Sequence, residues 1–491
     1  MAISFNQVPA GQKVPFLYAE FDNSQAVQGA GVQPVRAALI GQKLAAGTAV
    51  ANTKILITSY AQAVTLFGAG SMLALMVKAY RDNNNVNEMY AIPLADAGSS
   101  VAATGSVTFS GSVTKAGVLN FYIAKQKASI AVAVGDTLSD IVIAMAAAIN
   151  ATGNSFPLSA AQNNPTNEQL DLTAKNKGTV GNSIDLRFNY TTGDALPAGL
   201  SVSITDMADG AGDPDIQDAI DVLGDDQTLL IGGAYSDASN LTAMETELLN
   251  RFGPMLQNDG YYITAARGTV SDLNTLGNSR NSQFTAIRAH VGPSSPYERV
   301  AATIGVVAAA AQIDPARPFQ TLQLVGIGAE TDDESFSMEE RNILLNNGIG
   351  TDKKSAGDII RIERVITTYK ENPAGADDIS YYDLNTLLTL SYLRYDFRNF
   401  WLSKYPRHKL ANDGTQFAAG QAVMTPKVAK AEAVNRFRLW ENNGLVENID
   451  SFKENLIVER NNQDPNRLDF LLPPDVINQL RVVGVKISFF L

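Results

Sequence analysis

The sequence predicts a multidomain α/β (α+β) protein with a mixed-sheet core and helices, a β-rich inserted domain, and extended β arms at both ends of the chain. Three observations carry this reading. From Asp206 onward, short β-branched runs alternate with amphipathic, often Ala-rich segments, the pattern of an open α/β layer. Before that, a small-residue linker, LADAGSSVAATGS, opens a stretch in which residues alternate with the period of strands until about Thr205. Both chain ends are β-prone, as ISFNQV and RVVGVKISFFL. The expected organisation is an N-terminal arm at 1–20, a first part of the core at 21–95, the insert at 96–205, an α/β domain at 206–355, a C-terminal core at 356–480 and a C-terminal arm at 481–491.

The elements follow in order. Prolines and a glycine interrupt the apolar residues of 2–20, so this arm is extended rather than helical. Short strands are expected at 36–40 and 54–58. AQAVTLFGAGSMLALMVKAYRDNN then reads as helix, tight turn and helix, with Ser71 as N-cap. In the insert, VTFSG, VLNFYIA, SIAVAVG, LDLTA and SIDLRFNY read as strands. The segment from Thr137 to Asn150 reads as an amphipathic helix capped by Thr137. Asp213 with Pro214 predicts a helix start. Beyond it come the strand TLLIGG, a helix at 238–252, the strand YYITAA, a helix at 299–312, the strand TLQLVGI and a helix at 338–345. Ile360, Ile362 and Ile366 alternate with charged residues in a strand expected over 359–368. Pro373 and Gly375 break the chain. Leu384, Leu387, Leu388, Tyr392, Tyr395, Phe397, Phe400 and Trp401 then fall at helical spacing over 381–401, until Pro406 ends the run. PKVAKAEAVNRFRLW, 426–440, is a helix with Lys427, Lys430, Arg436 and Arg438 at its polar positions. LIVER, LDFLL and the terminal run are the last strands.

Composition excludes several classes of function. With 491 residues, 45% hydrophobic and 18% charged, the chain is a folded, domain-forming sequence. A net charge of −12 makes it a poor general binder of nucleic acid. The absence of cysteine removes disulfides, thiolate metal sites and thiol nucleophiles. MAISFNQVPAG has neither the basic start nor the apolar stretch of a signal peptide, and apolar windows such as Ile141–Ile149 are far too short to span a bilayer, so a soluble, non-secreted protein is expected.

Candidate chemistry is sparse, and no catalytic, cofactor or metal residue is assigned. His290 and His408 are the two histidines; neither stands at ligand spacing to another, and no nucleophile motif accompanies them. Asp206, Asp209, Asp213 and Asp215 lack the spacing of a calcium loop. Gly68 and Gly70 are followed by no Lys-Ser/Thr, so they read as a tight turn. LIGGAYSD and VGIGAE do not complete a dinucleotide fingerprint. An α/β enzyme with a β-rich insert would have to work with Gly232 and Gly233 near Asp237, or with His290.

A family resemblance spans Asp206 to Leu491. ADGAGDPDIQDAI, RNSQFTAIRAH, DPARP, MEERNILLNNGIGT, ITTYKENPAGADDISYYDLNTLLTL, KYPRHKLANDGT, GLVENIDSFKENLIVERN and DPNRLDFLLPPDVINQL lie in order along it. Together they resemble the tail sheath proteins of contractile-tailed bacteriophages, the Mu-like branch in particular. The resemblance implies a non-enzymatic virion protein without cofactors, assembled in the host bacterial cytoplasm. Such proteins form a helical homopolymer of hexameric rings around an inner tail tube, with baseplate and tail terminator proteins as further partners. Contraction from a metastable extended state drives the tube through a bacterial envelope. A phage-derived injection device of the bacteriocin type would use the same subunit.

Terminal arms in this family add strands to a neighbour's sheet. Here the expected arm residues are Ile3 and Phe5 at one end and Val483, Val485, Ile487 and Phe489 at the other. Lys427, Lys430, Arg436 and Arg438 are the expected tube-facing cations.

Overall fold

The structure, a computed structural model, describes residues 33–418 and 420–490, and its backbone divides into two units. The larger runs from Pro34 to Ser391 and takes in the chain end from Asn478; the other spans Tyr392–Ile477. The expected boundary near 356 falls instead inside a helix, because the segment 359–391 supplies an edge strand and buried leucines to the larger unit.

The larger unit begins with β1 (Ala37–Gln42), β2 (Ile55–Leu56), α1 (Tyr60–Phe67), α2 (Met72–Asn83) and β3 (Met89–Leu94). Ser59 and Ser71 cap the two helices. Ser71 Oγ accepts from the amide of Ala74, as expected for this serine. Gly68 and Gly70 lie at φ +90° and +79°, the left-handed turn conformation that glycine adopts without penalty.

The insert follows as β4 (Thr104–Gly111), β5 (Gly117–Ile123), β6 (Gln126–Val132), α3 (Leu138–Asn150), β7 (Leu158–Gln162), β8 (Gln169–Ala174), β9 (Leu186–Phe188) and β10 (Leu200–Ala208). It forms a four-stranded sheet in the order β10-β4-β8-β7 and a three-stranded sheet β6-β5-β9. Phe109, Leu119, Phe121, Ile141, Met145, Leu170 and Leu172 belong to a buried cluster separate from that of the rest of the unit. Thr137 caps α3 in a reciprocal box with Asp140. The insert closes later than 205: β10 runs to Ala208, and Val101 and Ala211 pair at its neck through amide–carbonyl bonds of 2.8 and 3.2 Å.

The chain then builds α4 (Gln217–Asp221), β11 (Leu230–Gly233), α5 (Ala238–Phe252), β12 (Tyr261–Arg267), α6 (Val270–Asn278), β13 (Thr285–His290), α7 (Pro296–Ile313), α8 (Met338–Asn346), β14 (Ile349–Ser355) and β15 (Ile359–Arg364). The main sheet has the order β15-β14-β13-β12-β11-β1-β3-β2. Its six inner strands are parallel, with antiparallel edges at β2 and β15. Strands buried on both faces read as apolar runs rather than alternation, and β1, β11 and β13 are buried along their whole length. Helix α7 starts three residues before its expected beginning because Ser295, Pro296 and Glu298 form a capping box with proline at the first turn.

Two expected elements differ. TLQLVGI is not a strand; Gln323 makes only an isolated bridge to Arg361, flanked by Thr321 and Gly326 at positive φ. Asp213 does not cap a helix. Its carboxylate accepts instead from the amide and hydroxyl of Thr179 in the insert, and α4 starts later without a side-chain cap.

The smaller unit holds most of α9 (Leu384–Lys404), then β16 (Lys409–Leu410), β17 (Val423–Met424), α10 (Pro426–Asn442), β18 (Val446–Glu447), α11 (Ile449–Asn455), β19 (Ile457–Arg460), β20 (Leu468–Leu471) and β21 (Asp475–Val476). Thr425 caps α10 with Pro426 at its first position. The core of this unit is aromatic. Phe470 lies 5.6 Å from Phe397 and 5.1 Å from Trp401, and Phe437 stacks on Phe452 at 4.1 Å.

Candidate assembly surfaces

The residues that an enzyme would have used are committed to packing and capping. On β11, a Cβ added to Gly232 would overlap Ile304 and come within 2.9 Å of Val300, both on α7. One at Gly233 would meet the Tyr262 hydroxyl at 2.7 Å. Both glycines therefore let neighbours approach the sheet. The Asp237 carboxylate caps α5, accepting from the amide of Asn240 at 3.0 Å and the hydroxyl of Ser239 at 2.6 Å. His290 is fully buried, its Nε2 2.5 Å from the carbonyl oxygen of Ser294. Burial, and then the guanidiniums of Arg299 and Arg267, hold its pKa well below the ordinary 6.5, so it is neutral. His408 sits exposed in a turn, its ring 4.9 Å from that of Tyr405. Among the described residues no cluster of three His, Cys, Asp or Glu could hold a metal, and no helix is long and apolar enough to cross a membrane.

The C-terminal segment is built differently. Arg481 fixes its root: one guanidinium nitrogen reaches Asp383 Oδ1 and Asn385 Oδ1, each at 3.1 Å, and the other reaches Gln320 Oε1 at 3.2 Å. Gln320 in turn donates to the carbonyl of Leu480 at 3.3 Å. Asp383 also takes a bidentate pair of bonds from Arg364, at 3.0 and 2.6 Å, so the root is tied to β15. Beyond this anchor the chain makes no strand, although its residues are strongly β-prone. Val483, Val485, Ile487 and Phe489 are 71–83% exposed. Among the described residues no strand lies against it: an extended segment has no internal hydrogen bonds, and β structure forms only against another strand. The N-terminal counterparts, Ile3 and Phe5, lie outside the described residues.

Helix α10 presents part of the expected basic face. Lys427 and Arg438 are exposed and Lys430 half-buried. Arg436 is the correction: it is buried and grips Asp396, with Nε 2.5 Å from Oδ2, while Trp440 Nε1 donates to the same oxygen at 2.6 Å. The helical period accounts for the difference. Eleven positions bring Arg438 within about 20° of Lys427, whereas nine positions place Arg436 about 180° away, on the core face.

The hairpin β19–β20 contains only two strands, paired from Ile457↔Leu471 to Arg460↔Leu468, and its outer residues Ile457 and Leu471 are more than half exposed. Among the described residues neither edge of this hairpin carries a further strand, and a two-stranded sheet is marginal alone and a template for further strands.

A largely parallel core, an exposed apolar chain end and a two-stranded hairpin, neither of these last two paired further among the described residues, are the features of a subunit that completes itself in an assembly. Comparison with known proteins agrees. The family model of the phage tail sheath protein central domain matches residues 209–368, and that of the phage tail sheath C-terminal domain matches 376–490. The Mu-like prophage FluMu tail sheath protein of Haemophilus influenzae is 39% identical over 492 residues, covering 100% of both chains. The chain belongs to the phage tail sheath family. In fold it is similar to the sheath of an extracellular contractile injection system, PVC, in its contracted state, with a TM-score of 0.50 at 10% identity over 97% of this chain and 98% of that one. A sheath tail protein from Listeria innocua aligns with a TM-score of 0.49 at 12% identity, over 92% of this chain and 94% of that one.

Proposed function

We propose that this sheath subunit works mechanically and without catalysis, as a polymer linked by donated strands. The observation that carries the reading is the C-terminal segment: a chain end held at its root by Arg481 and exposing a row of apolar side chains beyond it. Ten residues, Val482–Leu491, reach about 33 Å when extended, enough to enter a neighbour's sheet. Val483, Val485, Ile487 and Phe489 fall on one face at period two, and burying each would contribute roughly 1.5–3 kcal/mol as an upper range. The acceptor is the open β19–β20 hairpin of another copy, joined there by the N-terminal arm.

The polymer surrounds an inner tail tube, which Lys427, Lys430 and Arg438 face. It shortens from a metastable extended state and drives the tube through a bacterial envelope. Assembly takes place in the host cytoplasm, on a baseplate and up to a terminator.

Deletion of Val482–Leu491 tests the link. The shortened chain keeps its folded core and a normal melting transition, and it forms no tubes in sedimentation or negative-stain microscopy. Tubes of normal length from this variant would overturn strand donation.

A further inference from the structure

A cavity of about 710 Å³ lies beside the β14–β15 hairpin, and its wall is unusual for a chain of net charge −12. Lys353, Lys354, Arg361, Arg364 and Arg481 line it, against one acidic lining residue, Glu363. Three of the five cations are compensated, Arg364 and Arg481 by Asp383 and Lys354 by Asp332. Glu363 is itself engaged by Arg341 at 2.9 Å. Among the described residues no carboxylate is in ion-pair distance of Lys353 or Arg361; the latter spends one nitrogen on the carbonyl of Thr321. Like charges gathered in a concave site focus a positive potential there and attract an anion.

The same unit carries an exposed segment of opposite charge. Residues 371–377 form a tight hairpin closed by a bridge between Glu371 and Asp377. The amide of Asn372 donates to the carbonyl of Ala376, and that of Gly375 to the carbonyl of Asn372, each at 2.9 Å. The Asn372 side chain accepts from the amides of Ala374 and Ala376, and Gly375 takes the positive φ that the turn needs. Asn281 fixes the base by accepting from the amides of Lys370 and Glu371. Apart from half-buried Asn372 the hairpin is exposed, with the carboxylates of Glu371 and Asp377 on it and Ile379, 83% exposed, just beyond.

We propose that the cationic cavity receives the acidic hairpin 371–377 of a second copy of this chain. A preformed projection loses little conformational entropy on docking. Two different, complementary patches on one chain make a head-to-tail contact, which repeats into a ring or a helix rather than closing as a dimer. The cavity is also walled by Arg481 and Val482, the root of the C-terminal segment, so occupancy would bear on where that segment leaves its own subunit.

The inference rests on the reading of the chain as a polymer, and its test separates the two. Lys353→Glu with Arg361→Glu, and separately Glu371→Lys with Asp377→Lys, should each raise the concentration needed for polymerisation at least about tenfold. The four-substitution chain should recover it, since the charges are exchanged. Melting curves check that each variant is folded. Because the chain has no cysteine, Ala374→Cys and Ser355→Cys in one chain report directly. Oxidation of the polymer should give a ladder of disulfide-linked copies, and oxidation of dilute monomer none. Polymers that form normally from the reversed variants and yield no ladder would overturn the docking while leaving the sheath reading intact. Loss of polymer on reversing Lys353 and Arg361, with no ladder and no recovery in the exchanged chain, would assign the cavity to another acidic partner and equally overturn the hairpin. Failure of the unaltered chain to polymerise would instead count against the sheath reading.

Discussion

Asp352, on β14, compensates two buried guanidiniums. It accepts from Arg288 on β13 and, at 2.7 Å, from Arg299 on α7, and all three side chains are at most 3% exposed. Two guanidiniums against one carboxylate tolerate no loss of the anion. Asp352→Asn should destabilise the fold by about 3–5 kcal/mol, read from denaturant unfolding, because it strands two buried cations. His290 gives a pH signature. Its folded pKa lies below its unfolded value of 6.5, so the unfolded chain binds the extra proton on acidification. The contribution is complete above pH 6.5 and is lost as pH falls from there toward the depressed folded value, at about 1.4 kcal/mol per unit. His290→Gln, which can still donate to the Ser294 carbonyl, should flatten that part of the stability–pH curve. An unchanged slope would mean that other groups set it.

At the scale of elements, α10 and the chain end show how a side chain's surroundings decide its role. Arg436 is held in the core of its unit by Asp396 and Trp440, so the basic stripe reduces to exposed Lys427 and Arg438 with half-buried Lys430. Exposed ion pairs are worth ~0.2–1 kcal/mol each, weak enough for the proposed tube contact to be reversible. Reversal of Lys427 and Arg438 to Glu should weaken co-assembly with purified tube protein at low salt, and the difference should shrink as salt screens it. Co-assembly unchanged at low salt would leave these residues as a solvated face only. Arg436→Glu, by contrast, should lower the melting temperature of the unassembled chain, because it places a second acid against buried Asp396.

At the scale of the whole molecule, we propose that the insert is the separable part. It owns a buried cluster and two sheets, and its chain enters and leaves side by side at the Val101–Ala211 bridge. Close entry and exit make an insertion removable. Ties to the rest of the unit include hydrogen bonds and ion pairs, such as Asn176 Oδ1 accepting from the amide of Met72 at 2.9 Å and Arg187 with Glu334 at 3.0 Å. Replacing 101–211 with a short Gly/Ser linker should lower the melting temperature yet leave tubes of normal appearance. A folded product unable to polymerise would place the insert within the assembly contacts.

Local rules made a large part of this legible. The caps at Ser71 and Thr137, the helix bounds at Ala238–Phe252 and the turn glycines Gly68 and Gly70 depend on neighbours within a few residues, and the sequence alone determined them; the strand expected over 359–368 starts where expected but stops at Arg364, where its pairing with β14 ends. The sequence also determined the β-rich character of the insert and the family, whose motifs lie in order along the chain. The helical period placed Arg436 on the face opposite Lys427, a signal present in the sequence once every polar position is projected on the wheel. Other features required partners distant in sequence. Asp213 became a tie to Thr179 across 34 positions rather than a cap. TLQLVGI has strand composition but makes only a bridge, and the terminal run has strand composition but no ladder, because β structure is completed by a second chain segment that composition does not specify. The cationic cavity is likewise a tertiary product. Lys353, Arg361 and Arg481 are scattered in sequence, and only the β14–β15 pairing and the anchoring of Arg481 by Asp383 bring their charges to one wall.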